Sequence, residues 1–366
     1  MVGMRGGLAK RRGAGVNPAG RFERIRLADE GADQGFQEAA PGMGSSEGLP
    51  IVRTEVFRDE SRSVVSENQS PDIRFRYSLN PYRGCEHGCT YCYARPTHEM
   101  LGLSAGLDFE TKIFAKPNAP RLLTEFLRRS DYICEPIALS GVTDPYQPIE
   151  RSLCITRSCL EVMARCGQPV ELISKSRLIL RDLDLLSDMA RRQLLAVSVA
   201  VTTLDEQLQH EMEPRASSPL ARLDTIKQLS KAGIPVRVLL APLIPGLTDN
   251  EIPSILESAR RCGAHSASYT LLRLPFSVRD VFVEWLQRNY PHRATAVLAR
   301  IRDVRGNKLN DPRFGSRMRG TGPWADQIAK MFQFFARRNG LLTEFPLLDC
   351  SSFQAPADPS GQLTMF

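Results

Sequence analysis

The stretch Asn80-Pro-Tyr-Arg-Gly-Cys85-Glu-His-Gly-Cys89-Thr-Tyr-Cys92-Tyr93 places three cysteines within eight residues, separated by three and then by two others. Pro81, Gly84 and Gly88 punctuate the segment and predict a tight loop. Thiolates this close in sequence reach one inorganic centre without help from distant parts of the chain. Structural zinc takes four protein ligands, and its cysteine knuckles come as two CxxC pairs; no second pair is present. A [4Fe-4S] cluster on three cysteines keeps one iron free of protein ligands and open to a cofactor. The alternatives at this point are a zinc site completed by His87 or His98, and thiols that hold no metal.

Outward from this loop, short apolar runs alternate with helical periods, the pattern of βα units. The run 75–79 predicts a strand that feeds the cysteine loop, and 120–129 a helix. Strands are expected at 136–139, 170–174, 195–202, 236–240 and 268–272, and helices at 153–166, 183–192, 219–232 and 250–261. Six βα repeats make the fold class α/β. Helices at 278–289, 293–304 and 324–339 are expected to close its side, with 51–74 leading in. Residues 1–50, rich in Gly, Arg and Ala, read as a disordered basic arm. One domain spans 51–345, and 346–366 read as a flexible tail.

The net charge of +7 is unevenly placed. Residues 1–26 hold seven basic groups against Glu23, and 293–319 hold eight against Asp303 and Asp311. Two basic concentrations on an otherwise acidic body attract a phosphate backbone without reading its sequence; a solvated surface is the competing explanation. The other six cysteines follow no framework spacing and read as reduced thiols. No apolar run reaches a membrane-spanning length, and the N-terminus lacks the apolar core of a secretory signal. A cytoplasmic protein is expected.

Cys85-x3-Cys89-x-Tyr91-Cys92 resembles the signature of the radical S-adenosylmethionine (SAM) superfamily. Thr143-Asp144-Pro-Tyr-Gln-Pro-Ile-Glu150, Glu213-Pro-Arg215 and Ala241-Pro-Leu-Ile-Pro-Gly246 are similar to the branch containing spore photoproduct lyase and the "DNA repair photolyase" proteins. The resemblance runs in order over residues 70–345. It implies a partial (β/α)6 TIM-like barrel with C-terminal helices and active-site loops at the C-terminal strand ends. It also implies a [4Fe-4S] cluster on Cys85, Cys89 and Cys92, and SAM at the open iron. Reductive cleavage of SAM, fed by an external electron donor, would then give a 5′-deoxyadenosyl radical that abstracts hydrogen from substrate.

By the same resemblance, Tyr91 lies near the adenine, and Tyr91 and Tyr93 match tyrosines of the lyase's radical relay. Thr143 and Asp144 match residues that hold the ammonium of SAM. Lys175, just past the third strand, suits its carboxylate. Ser198 and Thr202 on the fourth strand offer hydroxyls, with pairing to nearby backbone the alternative. Arg215 is expected to reach the ribose or carboxylate, with a surface ion pair to Glu213 the alternative. Residues 241–246 would wall the adenine. Gly141 stands where the lyase returns hydrogen from a cysteine, so the resemblance carries the substrate class further than the lyase reaction itself.

A lyase-like enzyme of DNA repair is the expected function. A tRNA or protein substrate stays open, as does a non-catalytic metal-binding adaptor. The final Gln362-Leu-Thr-Met-Phe366 resembles the Gln-Leu-x-Leu-Phe peptide that bacterial repair proteins insert into the sliding clamp.

Overall fold

A computed structural model of the chain describes residues 11–22 and 52–357. Strands β1 (Glu55–Arg58), β2 (Val65–Glu67), β3 (Tyr77–Leu79) and β4 (Tyr82–Arg83) precede α1 (Leu107–Thr111), β5 (Lys112–Ala115) and α2 (Ala119–Leu127). Then follow β6 (Ile137–Leu139), α3 (Glu150–Leu153), α4 (Ile155–Cys166), β7 (Val170–Ser174), α5 (Leu183–Arg191) and β8 (Leu195–Ala200). Helices α6 (Glu206–Met212) and α7 (Pro219–Lys231) lead to β9 (Val236–Leu243), α8 (Ile252–Arg261) and β10 (Ser266–Leu271). Four helices finish the order: α9 (Val278–Asn289), α10 (Pro291–Asp303), α11 (Ser316–Arg319) and α12 (Pro323–Arg338).

The main sheet runs β10-β9-β8-β7-β6-β3-β2. All neighbours are parallel except β2, which pairs antiparallel with β3 at one edge. Its six parallel strands are the six expected βα repeats, and the sheet ends at β10 and β2 without closing. This is the partial (β/α)6 TIM-like architecture, open on one side. A second sheet, β1-β5-β4, flanks the cysteine loop.

Strand alternation decides what each face buries. Val170 and Leu172 on β7, Val197 and Val199 on β8, and Val236, Val238 and Leu240 on β9 pack outward with the helices. The helices answer with stripes at the 3.6-residue period, such as Ile252, Ile255, Leu256 and Ala259 on α8. Alternate positions face the concave side, among them Ile173, Ser198, Arg237 and Leu239, with Lys175 and Thr202 just beyond β7 and β8. Helix starts follow from capping: Asp205 accepts from Leu208 N–H, and Ser218 from Ala221 N–H ahead of Pro219.

Two terminal expectations are corrected. Residues 11–22 are packed against the body rather than forming part of a disordered arm, with Arg12, Ala14 and Val16 buried. Their hydrogen bonds run to residues nearly a hundred positions away, which local sequence does not announce. Residues 346–357 also pack. Asp349 N–H donates to Gln193 O and Gln354 N–H to Cys166 O, and Phe353 lies edge-on to Tyr132 at 5.4 Å. The clamp-like Gln362-Leu-Thr-Met-Phe366 and the remaining residues of the arm lie outside the described residues. Strand β9 continues through Leu243, so part of the expected adenine wall is strand. Among the described residues, no helix is long and apolar enough to cross a membrane.

Candidate active site at the cysteine loop

The cysteine loop leaves β3 at the C-terminal edge of the sheet and is fastened residue by residue. Cys85 N–H donates to Phe109 O at 2.9 Å, Thr90 N–H to Met212 O at 3.0 Å, and Arg215 N–H to His87 O at 3.3 Å. The Gln147 side chain accepts from Glu86 N–H at 2.9 Å and donates to Gly84 O at 3.2 Å. Buried Arg95 donates to Cys89 O at 2.9 Å. Gly84 (φ 78°) and Gly88 (φ 68°) occupy the left-handed region, which glycine enters without steric cost.

Cys85 and Cys89 are buried and Cys92 is half-buried, and all three are free thiols. Burial pushes the Cys85 thiol well above its ordinary range, and neighbouring Cys89 adds to the rise. Burial pushes Cys89 up to about 12, against the opposing pull of Lys175. Such thiols become thiolates when a metal centre takes up their charge. His98 contacts the Lys112 carbonyl through Nε2 at 2.9 Å, and burial lowers His87 to about 4, against the pull of Asp144. Among the described residues, no three His, Cys, Asp or Glu side chains converge closely enough to share a single metal ion. The three thiols of the loop stand, among the described residues, without a fourth side chain converging on them. A cluster whose separate irons take one thiolate each needs no convergence on a point.

Beside Cys89 lies a buried hub centred on Glu213. Its carboxylate accepts from Thr202 Oγ1 at 2.9 Å and Lys175 Nζ at 3.1 Å, and from Tyr91 OH and the Arg222 guanidinium. Lys175 Nζ also donates to Tyr91 OH at 2.8 Å and stands 3.5 Å from Cys89 Sγ. Burial raises the Glu213 pKa, and Arg222 opposes the rise. Arg222 is itself buried, tied to Ser217 O and Ala200 O. An ammonium between a carboxylate and a thiol, on the concave side of an open barrel, is positioned to receive a ligand's anionic group.

The structure therefore brings Tyr91, Lys175 and Thr202 together with Cys89. Asp144 lies next to them, accepting from Lys175 N–H at 2.9 Å and Ser174 Oγ at 2.8 Å, with His87 Nδ1 at 3.5 Å. Thr143 is buried, its backbone N–H held by the Asn80 side chain. Tyr93 is about half exposed and donates to Gly141 O. Ser198 is buried deeper on the concave face. Arg215 does not join the hub, nor does it pair with Glu213 at the surface. Its guanidinium binds Glu86 at 2.9 Å and so braces the loop, while Glu213 takes Arg222 instead. Arg222 was missed because it sits in an ordinary helical period. Gln147 was within reach, since it lies inside the quoted 143–150 motif.

Residues 79–259 match the family model of the radical SAM superfamily, and the chain carries a radical SAM domain. Proteins of this superfamily use a [4Fe-4S] cluster and SAM, and these are the cofactors of the domain. Among relatives, the chain is 36% identical over 221 residues to a protein of Mycobacterium tuberculosis, covering 60% of this chain and 65% of that one. The match thus spans just under two thirds of the relative's length. A radical SAM Nα-GlyT isomerase of Pseudomonas phage M6 is 24% identical over 243 residues, covering 66% of this chain and 48% of the isomerase. A solved spore photoproduct lyase with bound AdoMet and dinucleoside spore photoproduct superposes with a TM-score of 0.54 at 14% identity, over 79% of this chain and 81% of that one.

Proposed function

We propose that Cys85, Cys89 and Cys92 hold the cluster and that the enzyme acts on DNA in a repair-like reaction. The observation that carries the site assignment is Lys175 Nζ at 3.5 Å from Cys89 Sγ, set in the Glu213 hub. When bound, the cluster and SAM would supply one-electron radical chemistry, the electron coming from an external donor. Lys175 would hold the SAM carboxylate, its ammonium directed by Glu213 with Arg222. Thr202 and Tyr91 complete the hub, and Thr143 and Asp144 would hold the ammonium of SAM. The buried hub and the loop exclude water around the reacting bond. An electron donor and the clamp peptide belong to the same proposal.

DNA as substrate class is supported by an aromatic and arginine rim at the open mouth. Exposed Phe314 lies 4.5 Å from Arg317, and Arg273 lies 5.6 Å from the Tyr93 ring and 3.9 Å from Met318 Sδ. Rings interleaved with cations stack bases and neutralise phosphates; Arg273 is the cation this rim offers, since Arg317 is paired with Asp72 at 2.6 Å. The dinucleoside ligand named for the lyase structure lends further support.

The test is binding and product analysis with duplex, single-stranded and ultraviolet-irradiated DNA, beside tRNA and peptide. DNA should bind with a steep salt dependence, and Arg273→Ala should shallow the slope by about one phosphate contact. Failure of every DNA to bind or to stimulate SAM cleavage would overturn the reading and favour tRNA or protein.

A further inference from the structure

Residues 12–17, Arg-Gly-Ala-Gly-Val-Asn, cross the cysteine loop in irregular backbone with bends at Gly13 and Gly15. Their seat is built for them from both sides. A Cβ on Gly13 would lie 1.9 Å from the Gly88 carbonyl oxygen, between Cys85 and Cys89, so backbone lies directly on backbone. A Cβ on Gly106 would lie 2.2 Å from Val16 O, and one on Gly88 would lie 2.7 Å from Glu110 Oε2. Glycine on the strap and glycine on the body are thus both required for the fit. Farther along, Asn17 Oδ1 accepts from Leu107 N–H at 2.8 Å, and Ala14 and Val16 pack on Val281 of α9.

The polar contacts explain why this seat concerns the cysteines. Gly13 N–H and Ala14 N–H donate to the two oxygens of Glu110, at 2.9 and 2.8 Å. Glu110 is fully buried and its other partner is Arg95, at 2.6 Å. Arg95 in turn donates to Cys89 O. The residue before Glu110, Phe109, offers the carbonyl that holds Cys85 N–H. From the other side, Arg12 donates to Glu110 O at 2.8 Å and Thr54 Oγ1 at 3.0 Å, and Thr54 donates to Glu86 at 2.7 Å. The strap therefore reaches the backbone of Cys89, and the flanks of Cys85, through one or two intermediaries.

We propose that residues 12–17 are a clamp on the cluster loop, with Arg12, Gly13 and Glu110 as positioning residues. They hold Cys85 and Cys89 in cluster-binding geometry and cover the loop against solvent and oxygen. A charged group that donates to a ligand's backbone acts on metal retention as outer-shell partners do. The inference rests on the assignment of the three cysteines to the cluster, and the test separates the two.

The wild-type chain, Gly13→Val and a variant lacking residues 1–19 are reconstituted anaerobically with iron and sulfide. Iron content, the EPR spectrum of the reduced cluster with and without SAM, and bleaching of the cluster absorbance in air are recorded. Phe353→Ala, at the far end of the barrel, controls for general destabilisation, and thermal unfolding checks that every variant is folded. Folded strap variants should bleach on the order of tenfold faster than wild type and show an altered SAM-dependent EPR signal. A synthetic peptide of residues 11–22 should slow the bleaching of the deletion variant. Folded strap variants with wild-type iron, spectrum and bleaching rate would overturn the clamp and leave the cysteine assignment standing. A wild type that takes up no cluster would overturn both.

Discussion

Two irregular segments, 11–22 and 346–357, look alike in sequence and do different things in the fold. Both are rich in small residues and lack a helical or strand period, and both dock through backbone hydrogen bonds. The first lies at the C-terminal strand ends and grips a buried carboxylate beneath the cysteine loop. The second lies at the opposite end, where Phe353 covers Tyr132 and Arg128 donates to Ala357 O at 2.5 Å. Docked backbone alone marks neither as functional; what lies beneath it does. Under the first are Glu110 and Arg95, both fully buried, with Arg95 bonded to Cys89 O and Glu110 to Arg95. Under the second is an aromatic surface that apolar burial explains by itself.

The contrast breaks most sharply at Arg95. Arg95→Ala leaves Glu110 buried without its ionic partner, a loss worth about 3–5 kcal/mol. Denaturant unfolding should show that loss together with reduced iron uptake, since Cys89 O also loses its donor. A stable Arg95→Ala protein with full iron would mean that the two ends of the barrel are equivalent. Phe353→Ala sharpens the comparison from the other side. It should cost about 1 kcal/mol through the lost edge-on pair with Tyr132, and leave iron content and SAM cleavage unchanged. A drop in cluster loading there would show that the far end also governs the site.

What was legible in the sequence follows the same division. Strand β7 and helix α9 fall on their expected bounds, because their apolar alternation and 3.6-residue stripe are local signals that tertiary packing reinforces. That Lys175 comes to lie beside the cysteine loop was legible from its position past a strand. Residues 11–22 were not, because their stability comes from Glu110, nearly a hundred residues on, and from glycine gaps that only the folded partner reveals. Arg215 was expected at the SAM ribose or carboxylate, or in a surface ion pair with Glu213, because the Glu213-Pro-Arg215 motif follows the fourth strand. The turn after α6 at Glu213 leaves Arg215 on the loop side, where Glu86 meets it.

The central claim is that the loop of Cys85, Cys89 and Cys92 supports SAM cleavage. The most direct measurement is 5′-deoxyadenosine release by anaerobically reconstituted protein given SAM and dithionite, beside Cys89→Ala. Release by wild type that disappears in Cys89→Ala, with the variant still folded, is the predicted result. No release from wild type shown to hold a full cluster, or equal release from Cys89→Ala, would contradict it.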